Sequence, residues 1–191
     1  MNELGEIGRK ECGKIIKYRI VNLVAYTNIS EQLDLDHIKR VLDNCEYEPE
    51  VYFALIYRLS EPKLSILVNR SGKIIFAGAK SVRNIQKARD LFFDDLISVG
   101  YHPKKRKISI QNIVIAAELG RELDFKKILY SNSRGKIQYE PEVFPSIIFK
   151  NNSPRFTALI FRNGKICIVG LKNFKSIRSA VELIDKMVEG R

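Results

Sequence analysis

Eight basic residues of this chain recur as four pairs: Arg58, Lys63, Lys73 and Lys80 return as Lys150, Arg155, Lys165 and Lys172. Two carboxamides recur in the same way, Asn22 and Asn112. Such groups donate hydrogen bonds, the cations to an extended anion and the amides to an array of acceptors. The whole chain points the same way. It holds 33 Lys and Arg against 22 Asp and Glu, a net charge of +11 and a pI near 9.6, which favours a polyanionic partner. Catalysis has no comparable support. Gly72-Lys73 and Gly164-Lys165 are not phosphate-binding loops, because Leu67 and Leu159 stand where the first Gly is needed and Ile74 and Ile166 replace the Ser or Thr. His37 and His102 have no partner motif, and Cys12, Cys45 and Cys167 lack metal-ligand or disulfide spacing. The expectation is a binding protein without cofactor or metal, its thiols reduced.

The paired residues belong to a longer repeat. Asn22-Leu23-Val24, Leu33-Asp34-Leu35, Tyr47-Glu48-Pro49-Glu50-Val51, Pro62-Lys63, Ser71-Gly72-Lys73 and Gly78-Ala79-Lys80 return as Asn112-Ile113-Val114, Leu123-Asp124-Phe125, Tyr139-Glu140-Pro141-Glu142-Val143, Pro154-Arg155, Asn163-Gly164-Lys165 and Gly170-Leu171-Lys172. The offset is 90 residues at Asn and 92 at Tyr, so two residues are inserted between Phe125 and Tyr139. Two long units in one register imply a pseudo-two-fold axis, not a solenoid. Duplex DNA has such an axis of its own. The organisation expected is an N-terminal extension over 1–17, a first repeat over 18–101, a basic linker over 102–106 and a second repeat over 107–191.

The elements that must position these groups follow from pattern. Tyr18 to Thr27 and Lys107 to Ala117 read as strands. So do Glu50 to Leu59, Leu64 to Asn69 and Lys73 to Ala77, and, in the second half, Glu142 to Lys150, Phe156 to Phe161 and Lys165 to Val169. Helices are expected from Leu35 to Asn44, Ser81 to Val99, Asp124 to about Ser131, and Ser176 to Glu189, with Asp34 capping the first. Each half is expected to hold five strands, four of them placed here, and two helices, an antiparallel α+β class with helices on one sheet face. Strand parity leaves the other face open. In the first half it carries Asn22, Val24, Tyr52, Leu67, Asn69, Ile75 and Ala77; in the second, Asn112, Val114, Phe144, Leu159, Phe161, Cys167 and Val169. A broad apolar face in water is a binding surface. No stretch has the length of a membrane span or the form of a signal peptide, so a soluble protein that is not secreted is expected.

These duplicated motifs resemble the TATA-box-binding protein core, over about Tyr18 to Glu189. The resemblance implies a saddle-shaped, ten-stranded antiparallel sheet with four helices on its convex side and a widened, bent minor groove on its concave face; this family is itself a standard example of that mode of binding. It makes Asn22 and Asn112 the central amide donors on a floor of Val24, Leu67, Ile75, Ala77, Val114, Leu159, Cys167 and Val169. Phe144 and Phe161 become intercalating wedges. The eight paired cations become phosphate contacts, and Tyr139 to Val143, with Gln138 before them, the stirrup that docks a partner. A minor groove offers only acceptors at A·T pairs and adds an amino donor at G·C, so such a floor selects A·T. The departures lie in the first half, where Tyr52, which can still stack as an intercalating residue, and Asn69, which cannot act as an apolar wedge, stand at the wedge positions, and on the fifth strands, where Ala77 and Val169 replace the usual Thr.

The partners so implied are promoter duplex DNA, transcription factor IIB or its archaeal counterpart, and transcription factor IIA with other associated regulators. Pro103-Lys104-Lys105-Arg106-Lys107 has the form of a nuclear localisation segment or of a solvated linker. The basic balance favours a nucleus, the archaeal cytoplasm being the alternative. A paralogue acting as a protein adaptor is the rival function; an RNA-binding sheet is a third reading, for which the face carries few aromatics.

Overall fold

A computed structural model describes residues 4–8, 15–130 and 136–190. The chain divides into two units, one formed by Asn22–Gln111 and the other by Met1–Val21 with Asn112–Arg191. The first contains the second half of β2 (Ile15–Asn28), then α1 (Leu35–Val41), β3 (Cys45–Glu46), β4 (Leu55–Ser60), β5 (Lys63–Val68), β6 (Lys73–Ala79) and α2 (Val82–Ser98). Its strands are antiparallel in the order β3-β4-β5-β6-β2. The second contains most of β7 (Ser109–Glu118), then α3 (Phe125–Leu129), β8 (Lys136–Gln138), β9 (Ser146–Asn152), β10 (Arg155–Phe161), β11 (Lys165–Leu171) and α4 (Lys175–Glu189), in the order β7-β11-β10-β9-β8. It also holds β1 (Leu4–Gly8), which pairs with Ile15 to Arg19 of β2.

Alternation along the strands builds each core. Leu23, Ala25, Ile66, Val68, Ile74 and Phe76 are fully buried, as are Ile85, Ala88, Phe92, Phe93 and Leu96 on α2. In the second unit Ile113, Ile115, Phe149, Ala158, Ile160 and Ile168 are buried, as are Ile177, Ala180, Val181 and Ile184 on α4. Each large side chain so buried contributes roughly 1.5–3 kcal/mol. The short helices start on carboxylate caps. Asp34 accepts from the backbone of Asp36 at 3.1 Å and His37 at 3.0 Å, and Asp124 from Lys126 at 3.0 Å and Lys127 at 3.4 Å.

The Gly-Lys motifs have a structural reason. Gly72 and Gly164 have φ of +76° and +82°, and a Cβ added there would lie 2.3 Å from the Glu31 carbonyl oxygen and 2.2 Å from that of Arg121. Only glycine lets the β5–β6 and β10–β11 turns lie so close to the loops before α1 and α3.

Several expected boundaries are corrected. β4 and β9 begin at Leu55 and Ser146, not Glu50 and Glu142, because the segments before them close helix-like turns. Val51 and Tyr52 donate to the Glu48 carbonyl at 3.0 and 2.8 Å, and Val143 and Phe144 to that of Glu140 at 3.0 and 2.9 Å. Helix α1 ends at Val41 because Leu42 turns extended, and α3 ends at Leu129; Ser131 lies outside the described residues. The strand of each half left unplaced by the sequence proves to be the short β3 or β8, and β1 adds a strand within what reads as a bare N-terminal extension.

Candidate nucleic-acid interface

One β-bulge sets the polar centre of each open face. The β2–β6 register shifts between Leu23 and Val24, and the β11–β7 register between Ile168 and Leu171. The glycines responsible, Gly78 and Gly170, have φ of +95° and +93° and leave the ladder. Their N–H groups are taken up by side chains: Gly78 donates to Asn22 Oδ1 at 3.0 Å and Gly170 to Asn112 Oδ1 at 2.9 Å. This fixes both amides. With the oxygen occupied, what each Asn offers a ligand is its Nδ2 donor. Sequence reasoning found the asparagines and the glycines but not their pairing, for which the conjunction of Asn-x-Val with Gly-x-Lys was the available signal.

Around these amides Val24, Leu67, Ile75, Ala77, Val114, Leu159, Phe161, Cys167 and Val169 are half-buried, while the residues alternating with them are buried. The parity expectation is met at these positions. The face is wider than expected. Tyr26, Ile56 and Ser65 share it in the first unit, and Ala116, Ile148 and Thr157 in the second; the same parity rule, carried along the full length of β2, β4, β5, β7, β9 and β10, would have found them. Ile56 and Ile148 pair with Leu67 and Leu159. Ser65 and Thr157 pair with Ala77 and Val169, so each face keeps a hydroxyl one strand away from the position that lacks it. Cys167 has its thiol pushed up by burial, which keeps it neutral and suits an apolar floor.

The aromatic edges differ. In the second unit Phe144, 39% exposed, and Phe161 meet edge to face, centroids 6.1 Å apart at 68°. In the first, Tyr52 is 38% exposed. Asn69 turns its Nδ2 toward the Lys73 carbonyl at 3.4 Å, and Val68 is buried.

The paired cations Arg58, Lys63, Lys73, Lys80, Lys150, Arg155, Lys165 and Lys172 are all exposed. Arg58 is clamped by Glu46 through two 2.9 Å hydrogen bonds, and that contact holds the Glu46 carboxyl below the usual carboxylate range. In β9 the matching Lys150 instead pairs across the ladder with Lys136. Lys73 lies 5.4 Å over the Tyr26 ring.

Glu140, Pro141, Glu142 and Val143, expected to form a stirrup, are exposed, and Tyr139 before them packs edge-on against Phe125 at 5.2 Å. The matching Tyr47 accepts from Arg70 at 3.2 and 3.3 Å. In the linker Lys105 bonds Asp90 at 2.9 Å, and Thr27 Oγ1 donates to the Arg106 and Lys107 carbonyls at 3.4 Å each. These contacts tie the basic segment to its own unit.

The family described as "Transcription factor TFIID (or TATA-binding protein, TBP)" matches residues 17–99 and 107–190. The TATA-box-binding protein of Thermoplasma acidophilum is 38% identical over 177 residues, covering 91% of this chain and 95% of its own. TATA-box-binding protein E of Halobacterium salinarum is 38% identical over 174 residues, covering 89% and 92%. Among solved structures, Methanococcus jannaschii TBP superposes with a TM-score of 0.84 at 35% identity, covering 91% of this chain and 99% of that one. The antiparallel α+β fold class and the resemblance read from the duplicated motifs therefore stand. This chain belongs to the TATA-binding protein family, a family of DNA-binding transcription factors.

Proposed function

We propose that the open faces of the two units bind the minor groove of A·T-rich promoter DNA, bend it, and nucleate assembly of the initiation machinery. The observation that carries this reading is the orientation of Asn22 and Asn112, each with Oδ1 engaged by a bulge glycine and Nδ2 left as donor. Two donors on an apolar floor complement the acceptors that A·T pairs show in the minor groove and meet an unpaired amino donor at G·C. Phe144 and Phe161 supply a wedge whose insertion unstacks a base step at a cost of a few kcal/mol. The eight paired cations take phosphates. With ~6 to 8 phosphates neutralised, log affinity falls with log salt at a slope of about −5 to −7.

The stirrup from Tyr139 to Val143 is the docking site we assign to transcription factor IIB or its archaeal counterpart, with transcription factor IIA and other regulators as further partners. The relatives named above are archaeal, which supports the archaeal cytoplasm over the nucleus as the place of action.

Salt-titrated binding to an end-labelled TATAAA duplex and to a G·C-substituted control, with energy transfer reporting the bend, tests this. Selective, bent binding is expected. Equal, weak binding to both duplexes without bending would overturn it in favour of a protein adaptor.

A further inference from the structure

Phe53 is 69% exposed, a large apolar ring held in water, and nothing in the reading above uses it. It lies against Tyr52, with centroids 4.9 Å apart and planes at 41°. The second unit has Pro145 at the matching position. There the companion ring of Phe144 comes from the neighbouring strand, as Phe161. In the first unit that strand position holds Asn69, whose backbone N–H and Nδ2 both turn to the Lys73 carbonyl, at 2.9 and 3.4 Å. One ring is missing from the strand, and one extra ring stands on the loop.

We propose that Tyr52 and Phe53 together form the wedge of the first repeat, with Phe53 supplying the ring that Asn69 cannot. The proposal rests on the minor-groove reading and deepens it. A base step pried open exposes two base faces, and an apolar ring pair covers them where an amide would be left unpaired. Ring burial there also removes Phe53 from water. Because this ring springs from the loop before β4 and not from β5, the first repeat opens its step from one strand of the sheet alone. Asn69 then sets no limit on kinking. Phe53 is a positioning residue for DNA shape, distinct from the floor that selects A·T.

The test uses the full chain and a TATAAA duplex carrying 2-aminopurine at each end step in turn, whose fluorescence rises on unstacking. Wild type is expected to raise the signal at both steps. In Phe53→Ala the summed rise should fall by about half, with affinity down roughly tenfold and A·T preference intact. Asn69→Phe placed in the Phe53→Ala background should restore the signal. Phe53 is exposed, so unfolding midpoints check that both variants fold. An undiminished rise in Phe53→Ala overturns the proposal and leaves Phe53 to a protein partner. Failure of Asn69→Phe to restore the signal also overturns it, because Phe53 is then not replacing a missing ring. Wild type that shows neither a rise nor A·T preference would instead overturn the underlying minor-groove reading.

Discussion

Residues 18–101 carry 11 Lys or Arg and 11 Asp or Glu, whereas residues 107–191 carry 15 and 8, although both halves build the same strand order with matching bulges and the same aspartate cap on the short helix. The contrast is sharpest at the outer strands. Asn44, Glu46 and Arg58 in the first half correspond to Lys136, Gln138 and Lys150 in the second. The first set neutralises itself through the Glu46–Arg58 pair; the second brings two lysines together in the ladder. Under the helices the contrast is chemical in another sense. Tyr57, buried under α2, donates to Asp95, while the matching pair is Phe149 and Met187. Burial, with Asp95 second, pushes the Tyr57 hydroxyl well above the ordinary phenol range. The backbone plan is thus shared, being set by glycine geometry and strand parity. Charge, aromatic edge and buried polar detail are each half's own.

What the halves share should be the most costly to break. Gly72→Ala and Gly164→Ala should each destabilise on the order of 3 kcal/mol, since a Cβ meets a carbonyl oxygen in a left-handed conformation; urea unfolding reads this, and a silent substitution in one half would show that its turn is built differently. The wedge comes next. Phe161→Ala should weaken duplex binding by about 2 kcal/mol, roughly thirtyfold, while Asn69→Ala should change it little; comparable losses in equilibrium titrations would erase the difference between the halves. In the core, Tyr57→Phe should cost about 1–2 kcal/mol by leaving Asp95 without its donor. Adding Asp95→Met, which imports the second half's chemistry, should recover most of it, and a chemical-denaturation double-mutant cycle would measure the recovery.

The smallest effects lie on the rim. Lys150→Ala should lower the salt slope by about 1, and Arg58→Ala by less, because Glu46 already occupies Arg58. Glu46→Gln should raise affinity and restore a full contribution from Arg58. Acid should do the same. The Glu46 carboxyl is held below its ordinary value, so the pair persists at neutral pH and is lost only as pH falls through that depressed value. Salt titrations of the three variants across pH decide this, and an Arg58→Ala effect equal to that of Lys150→Ala would mean that the clamp opens on binding.

Much of this was legible in the sequence because its signals were duplicated. Leu23 and Ala25 inward with Asn22 and Val24 outward follow from alternation alone, and Asp34 and Asp124 mark helix starts by residue type. The failures share a cause. Val51-Tyr52-Phe53 and Val143-Phe144 have strand composition, yet backbone bonds to Glu48 and Glu140 hold them in turns, and propensity cannot weigh that competition. β3 and β8, of two and three residues, are too short for any period to show. The Glu46–Arg58 clamp joins residues 12 apart on neighbouring strands, a register that could be read only once β3 was known. The orientation of Asn22 and Asn112 likewise depends on glycines 56 and 58 residues away.

Two amide donors reading acceptors in the minor groove are the core of the proposed function, and base substitution isolates them. An inosine·cytosine pair shows the major-groove face of G·C but lacks the minor-groove amino group. Affinity should therefore be measured for TATAAA, for its inosine·cytosine counterpart and for its guanine·cytosine counterpart at one salt concentration. Near-equal binding of the first two with loss of the third is the predicted result. Inosine·cytosine bound as weakly as guanine·cytosine would contradict the account, because the chain would then be reading something other than the minor-groove floor.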